Sequence, residues 1–571
     1  MVTSETVLES QGRTEDPPEP PEDSPPKASR RWYQFPFAGA VGAWIVMLFS
    51  LTPSLLPRSG IVQGLVTGAA IAIGYGLGVL VAWFVRQFTE RYPSDRSMAI
   101  IWKVLGAVVL VTGLLMLWRS FQLQSDLTVL MGTAAPTWSW FPLTIVVSAI
   151  FAFIFIGLSR LIRRGARALG RLFGRWMPAR TARALGIILA GVITIVAING
   201  VLLSGALSVT EEMFKTSNGN TSEGTVNPNT AFTSGGPVSD VTWESLGRKG
   251  RDFIGGVTTP AEFAEFSTEQ PVAEPIRVYA GIESGDAATR AELAVADLLA
   301  MGAFDRELLA VGTTTGTGWV DEQAVDPLEY MFNGDTAIVA TQYSYLPSWL
   351  SFLVDKDKAK EAGITLFDAV YAVWNELPAD QRPTLVVFGE SLGSFGAEAA
   401  FSGLSDIQNR TDAALFIGPP NSNDLWKRYV DNRDPDSPEI LPIYQDGEYL
   451  RFAGIPSDVD NPPSPWNKPR ALYLQHASDP IVWWSPELMF TEPDWLMEER
   501  GRDVLPELSW IPVVTFLQIS ADMMSSTGYP TGHGHWYGEN QTNAWASLIA
   551  PDGWTQADTD KLHDLMALRE R

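Results

Sequence analysis

The N-terminal third of the chain is organised by long apolar stretches, at about 37–56, 61–85, 99–118, 140–159 and 184–207. Each is near the ~20 residues needed to cross a hydrocarbon core. They are apolar on every face, a pattern that belongs to membrane spans or to helices buried within a large domain, and five in succession favour the membrane. Beyond about residue 243 the pattern changes to apolar runs of strand length alternating with helical periodicity. Strands are expected at 276–282, 307–311, 336–341, 384–388, 413–418, 471–475 and 511–519, with helices at 288–301, 325–332, 357–377 and 393–404. This alternation predicts βαβ units and a mostly parallel sheet of about eight strands flanked by helices.

Three polar segments frame these regions. Residues 1–34 are rich in Pro, Glu, Asp and Ser and read as a disordered tail. Residues 35–207 form the transmembrane region. Residues 208–242 are mainly Asn, Thr, Ser and Gly, which suggests a flexible linker, so the C-terminal domain is expected over 243–571.

Charge divides the chain in the same way. Residues 1–207 carry 18 Lys and Arg against 10 Asp and Glu, whereas 208–571 carry 23 against 55. An acidic surface of this kind repels phosphate backbones, so nucleic acid is not an expected partner. Between the fourth and fifth stretches, eight arginines from Arg160 to Arg183 occur without one acidic residue, and short basic loops stay in the cytoplasm. Five crossings from a cytoplasmic N-terminus would put the acidic domain outside the cell membrane, and an error of one span would invert that result. The same arginines also suit a basic amphipathic helix on anionic lipid.

The chain contains no cysteine, which excludes disulfides, thiolate nucleophiles and zinc-thiolate or iron–sulfur sites. Four histidines, His476, His533, His535 and His563, restrict imidazole chemistry to few places. The strand TLVVF runs into Gly389-Glu390-Ser391-Leu392-Gly393 and then a small-residue helix. Glycines on either side of the serine allow the sharp strand-to-helix turn that would present a nucleophilic hydroxyl. A proton acceptor is available in Gly532-His533-Gly534-His535, where His535, just ahead of the closing helix, is favoured and His533 is the alternative. Asp479, at the tip of strand 471–475, is the candidate to orient the imidazole, with Asp424 in reserve, and His476 reads as structural. For an oxyanion hole the expected amides are those of Leu392, after the serine, and of Thr314 and Thr315 in the loop GTTTGTGW. That loop lacks the Gly-Lys-Ser/Thr ending of a P-loop. Trp319, Tyr343, Tyr345, Trp349, Phe395, Trp483 and Trp484 are candidates for an apolar acyl pocket as well as for core. No cofactor or metal is expected, since His533 and His535 offer no third ligand.

Taken together, SLTPSLLPR, GTTTGTGW, ATQYSYLPS, FGESLGSFGAEAAF, QHASDPIVWW and GHGHWYG make the chain resemble bacterial membrane-anchored α/β-hydrolases over about residues 35–560. The resemblance implies an α-helical transmembrane region followed by an α/β-hydrolase fold, with a serine-hydrolase triad mapping onto Ser391, Asp479 and a histidine of the GHGH segment. The expected activity is cleavage of carboxylic esters, on a lipid or acylated cell-envelope substrate at the bilayer. Transfer of the acyl group to another hydroxyl, and a non-enzymatic membrane or transport role that keeps the fold, are the alternatives.

Overall fold

The computed structural model describes residues 36–88, 95–197, 200, 204–267 and 273–569. The tail expected at 1–34 therefore lies outside the described residues. Helices α1 (Phe37–Ser50), α2 (Gly60–Val85), α3 (Asp95–Leu130), α4 (Trp140–Phe173) and α5 (Ala179–Val196) form the N-terminal region. Four of them, α2 to α5, are long and apolar enough to cross a membrane, and they fit a membrane-embedded region. The first expected span is shorter than its apolar run. α1 has 14 residues, about 21 Å at 1.5 Å per residue. Residues 51–59 leave the helix because Pro53 and Pro57 disfavour helical geometry at the residues before them.

Small residues let these helices approach closely, as in lipid-embedded bundles. On α2, Gly60, Gly64 and Gly68 lie against Trp140, Val147 and Phe151 of α4, while Gly74 and Gly78 meet the backbone of Gly42 and Ala38 on α1. The basic stretch 160–183 is largely helical, since α4 runs on to Phe173.

The C-terminal domain is built on a seven-stranded, fully parallel sheet in the order β1-β3-β2-β4-β5-β7-β6. The strands are β1 (Ile276–Ala280), β2 (Leu308–Thr313), β3 (Thr336–Thr341), β4 (Thr384–Glu390), β5 (Ala413–Ile417), β6 (Leu450–Ala453) and β7 (Arg470–Leu474). They are buried almost throughout, as expected for a parallel sheet covered on both faces.

Two expectations are corrected here. Residues 511–519 do not form a strand but enter a helix, Val514–Asp522, whose buried residues Val514, Thr515, Gln518, Ile519 and Asp522 recur at helical rather than alternating spacing. The segment 208–242 is not a free linker. It begins within α6 (Ser204–Asn218) and then packs on the sheet edge, where Thr233 bridges Arg277 of β1 and the Ser234 hydroxyl donates to buried Asp297 at 2.6 Å. Ser234 and Ser239 are used as hydrogen-bonding groups against buried Asp297 rather than for solvation.

Candidate active site

The end of β4 delivers Ser391 in a backbone conformation that a non-glycine residue rarely takes, φ 55° and ψ −124°. Its amide donates to Ile417 O of β5 at 2.8 Å, fixing the turn to the neighbouring strand. The flanking glycines have a steric cause. A Cβ on Gly389 would strike the Gly393 carbonyl, and one on Gly393 would strike the Thr313 carbonyl at the end of β2.

Asp479 follows β7 and is fully buried. Its Oδ1 accepts the Ile481 amide at 2.8 Å, while Oδ2 accepts both His535 Nδ1 at 2.7 Å and the Tyr537 hydroxyl at 2.8 Å. With Nδ1 donating to the carboxylate, Nε2 is the ring atom left to take a proton. It is buried and has no hydrogen-bond partner among the described residues, so no serine–histidine bond is formed in this state. Ser391 and His535 nevertheless line one cavity of about 410 Å3, and such bonds are often long before substrate binds. Gly418, after β5, leaves the room into which the His535 ring packs.

The other histidines are placed differently. His533 is partly exposed, and its Nδ1 lies 3.8 Å from Asp503. His476 is buried, bonds Gly534 O through Nδ1 at 2.9 Å and stacks on Tyr537 with centroids 4.1 Å apart, and burial lowers its proton affinity. Asp424, the reserve acid, is 74% exposed at its side chain and pairs with Lys360 at 2.8 Å; the carboxylate on His535 is that of Asp479.

Of the expected oxyanion amides, that of Thr315 is corrected: it donates to Trp319 O at 2.9 Å within its own loop. Thr314 is held through its hydroxyl to Thr341 O at 3.0 Å. Leu392 opens the helix Leu392–Glu398, where the first amides lack intrahelical acceptors. Among the expected pocket aromatics, Trp319 and Trp349 line the cavity, joined by Phe352, Met523, Met524 and Trp536. Tyr343 and Phe395 belong to a small cluster beside it, Trp483 is deep in the core, Trp484 bonds Ser520, and Tyr345 bonds Glu283.

Residues 276–562 match the model of an alpha/beta-hydrolase family, and residues 51–257 match the model of that family's N-terminus. The chain belongs to the alpha/beta-hydrolase family. No curated protein and no solved structure matches it. The hydrolase domain thus has the parallel sheet of its fold, with Ser391 and Asp479 carried on segments that follow the ends of β4 and β7, where ligands bind in open α/β sheets, and His535 reaching them from the loop after the helix Val514–Asp522.

Sequence reasoning missed one pair beside Ser391. Glu390 lines the cavity and shares a hydrogen bond with Asp321, and both are buried. Asp321 also accepts from the Gln323 amide at 3.0 Å and from Gln541. Burial, and for Glu390 the charge of Asp321, push both carboxyls above their ordinary range. Elsewhere in the domain, burial pushes Glu398 and Glu439 up to about 7. Groups with raised folded-state values hold protons that the unfolded chain has already released, so the stability these two contribute is fully present below about 4.5 and is lost as pH rises through 7. The melting temperature should decline over that window. Glu390→Gln should flatten the decline and gain about 1 kcal/mol at pH 8, the scale of an uncompensated buried polar group; unfolding followed against pH for both chains checks this.

Proposed function

We propose that this protein is a membrane-anchored serine hydrolase that cleaves carboxylic esters of lipids or acylated envelope components. The observation that carries the reading is the His535–Asp479 bond at 2.7 Å, with His535 Nε2 unbonded among the described residues in the cavity that Ser391 also lines. In this mechanism Ser391 Oγ attacks the ester carbonyl while its proton passes to His535 Nε2. The amides of Leu392 and Thr314 hold the developing oxyanion. Collapse of the intermediate expels the alcohol, protonated by His535, and leaves an acyl-enzyme. Water, deprotonated by the same imidazole, then releases the acid and restores the serine.

An acyl chain as the leading part of the substrate is supported by Phe352, Met523 and Trp536 in the cavity wall, and by Trp349 and Met524 at its rim, 54% and 70% exposed. The extracytoplasmic reading is supported by polarity along α4. The Trp140 ring at its start bonds Arg58 O beside the hydrolase domain. Its arginines, Arg160 to Arg171, occupy the far part of this 34-residue helix, beginning about 30 Å from Trp140.

The test is turnover of an ester series from acetyl to palmitoyl by the full chain in detergent, followed by product analysis with an alcohol acceptor. Hydrolysis that improves with chain length supports the reading, and acyl transfer outrunning water would assign the acyltransferase alternative. A folded chain with no turnover of any ester would leave the non-enzymatic role.

A further inference from the structure

The loop 51–59 between α1 and α2 is built into the hydrolase domain rather than lying over it. Leu55 and Leu56 are fully buried in the same continuous core as the sheet. Gln518 donates to Thr52 O at 2.9 Å, and the Tyr529 hydroxyl donates to Pro57 O at 2.7 Å. At the centre, Arg58 Nε lies 3.0 Å from Asp522 Oδ1, with both side chains at 0% exposure. The Asp522 carboxylate is further captured by the Ser54 hydroxyl and by the amides of Leu55 and Leu56. Arg58 is tied to the helices on its other side: its amide donates to Gln124 of α3 at 2.5 Å, its Nη1 to Gln63 of α2 at 3.2 Å, and its carbonyl accepts from Trp140 of α4 at 3.1 Å.

What this pair holds is the wall of the active site. Asp522 is followed by Met523, Met524, Ser526 and Thr527, which line the cavity. The Ser526 carbonyl accepts the amide of His535 at 2.8 Å. Gly534, next to that histidine, sits so close to Ser526 O and Leu56 that a Cβ there would touch both. Stability alone is a poor reason for such a pair. Desolvating two charges consumes most of what their attraction returns, and apolar replacements often do as well. Arg58 Nη2 is, besides, buried without a hydrogen bond, and Nε and Asp522 Oδ1 meet as an ion pair without hydrogen-bond geometry.

We propose that Arg58 is a positioning residue for His535: the membrane region completes the catalytic site by fixing the segment 522–535 through Asp522. The proposal rests on the serine-hydrolase reading above. It makes the α1–α2 loop part of the enzyme, which accounts for a multi-helix region where one helix would tether a soluble domain.

The test uses the full chain in detergent, with a fluorophosphonate probe for the rate of serine labelling and a short-chain ester for kcat, KM and the pH profile. Arg58→Ala should label about 10²-fold more slowly, the scale expected when a reacting group is displaced by an ångström, with kcat reduced, KM unchanged and the acid limb of the pH profile shifted. Arg58→Lys should recover much of the rate. Tyr529→Phe, which removes the hydroxyl that bonds Pro57 O and Ser525, should label several-fold more slowly at an unchanged melting temperature, and it decides the matter should Arg58→Ala not fold. Wild-type labelling and pH profile in a folded Arg58→Ala chain, or in Tyr529→Phe where Arg58→Ala is unfolded, would overturn the proposal. A wild-type chain that takes no label would instead remove the serine-hydrolase reading, and this proposal with it.

Discussion

Alanine at Ser391, at His535, or at both should lower ester turnover by a common factor of about 10⁴ to 10⁶. The serine hydroxyl is a weak nucleophile until a base takes its proton, so either loss disables the same step and the double variant adds little. The geometry makes the histidine assignment specific. His535 is bonded to the buried Asp479 at 2.7 Å and lines the cavity with Ser391. His533 is partly exposed and faces Asp503 at 3.8 Å. His533→Ala should therefore keep turnover within about tenfold of wild type, a loss on the scale of a displaced neighbouring loop rather than a missing base. Steady-state kinetics on the four chains check the prediction, and equal losses at both histidines would contradict it.

The second large effect is expected at Asp479. Asp479→Asn preserves size but offers an amide nitrogen where His535 Nδ1 now donates to a carboxylate oxygen, which favours the tautomer with its proton on Nε2, the atom that must accept. Turnover should fall about 10⁴-fold while the fold is retained, because the Ile481 amide can still bond the remaining oxygen. Tyr537→Phe, which removes the other donor to Asp479 Oδ2, at 2.8 Å, should cost far less. Raising the pH should recover part of the Asp479→Asn activity, since a base of the wrong tautomer is rescued as hydroxide takes over proton removal. Turnover of Asp479→Asn equal to wild type would show that the carboxylate does not orient the base.

The parts of this site that were legible in sequence are those where backbone sterics demand a particular residue. Gly389 and Gly393 announce the turn at Ser391 because a side chain at either would collide with a carbonyl. Asp479 could be placed at a strand end by order alone, whereas the two histidines were expected after a strand at 511–519 that is a helix. Its place ahead of the closing helix favoured His535 over His533, and packing against Gly418 and Asp479 separates the two. The loop expected to supply oxyanion amides was visible as glycine-rich chain, but which amide is spent inside it, that of Thr315, depends on a turn closed by Trp319 O.

The sheet was legible for a related reason: buried parallel strands must be continuous apolar runs. The same rule misled at 511–519, where an equally apolar segment is a helix buried between the hydrolase core and the loop 51–59. β6 was too short to announce itself, with Arg451 in the middle of its four residues. The pairs Arg58–Asp522 and Asp321–Glu390 join positions far apart in the chain, and nothing local marks a charge that will be buried. The segment 219–242 was misread because hydroxyl-rich chain looks the same whether its partners are water or, as for Ser234 and Ser239, a buried carboxylate on Asp297.

The central claim is that Ser391 is the group that becomes covalently acylated. Mapping the site of fluorophosphonate attachment on the intact wild-type chain by peptide mass spectrometry addresses it directly. The account predicts a single adduct on Ser391, lost in His535→Ala. A correctly folded chain that stays unmodified, or one modified at a different serine, would contradict it.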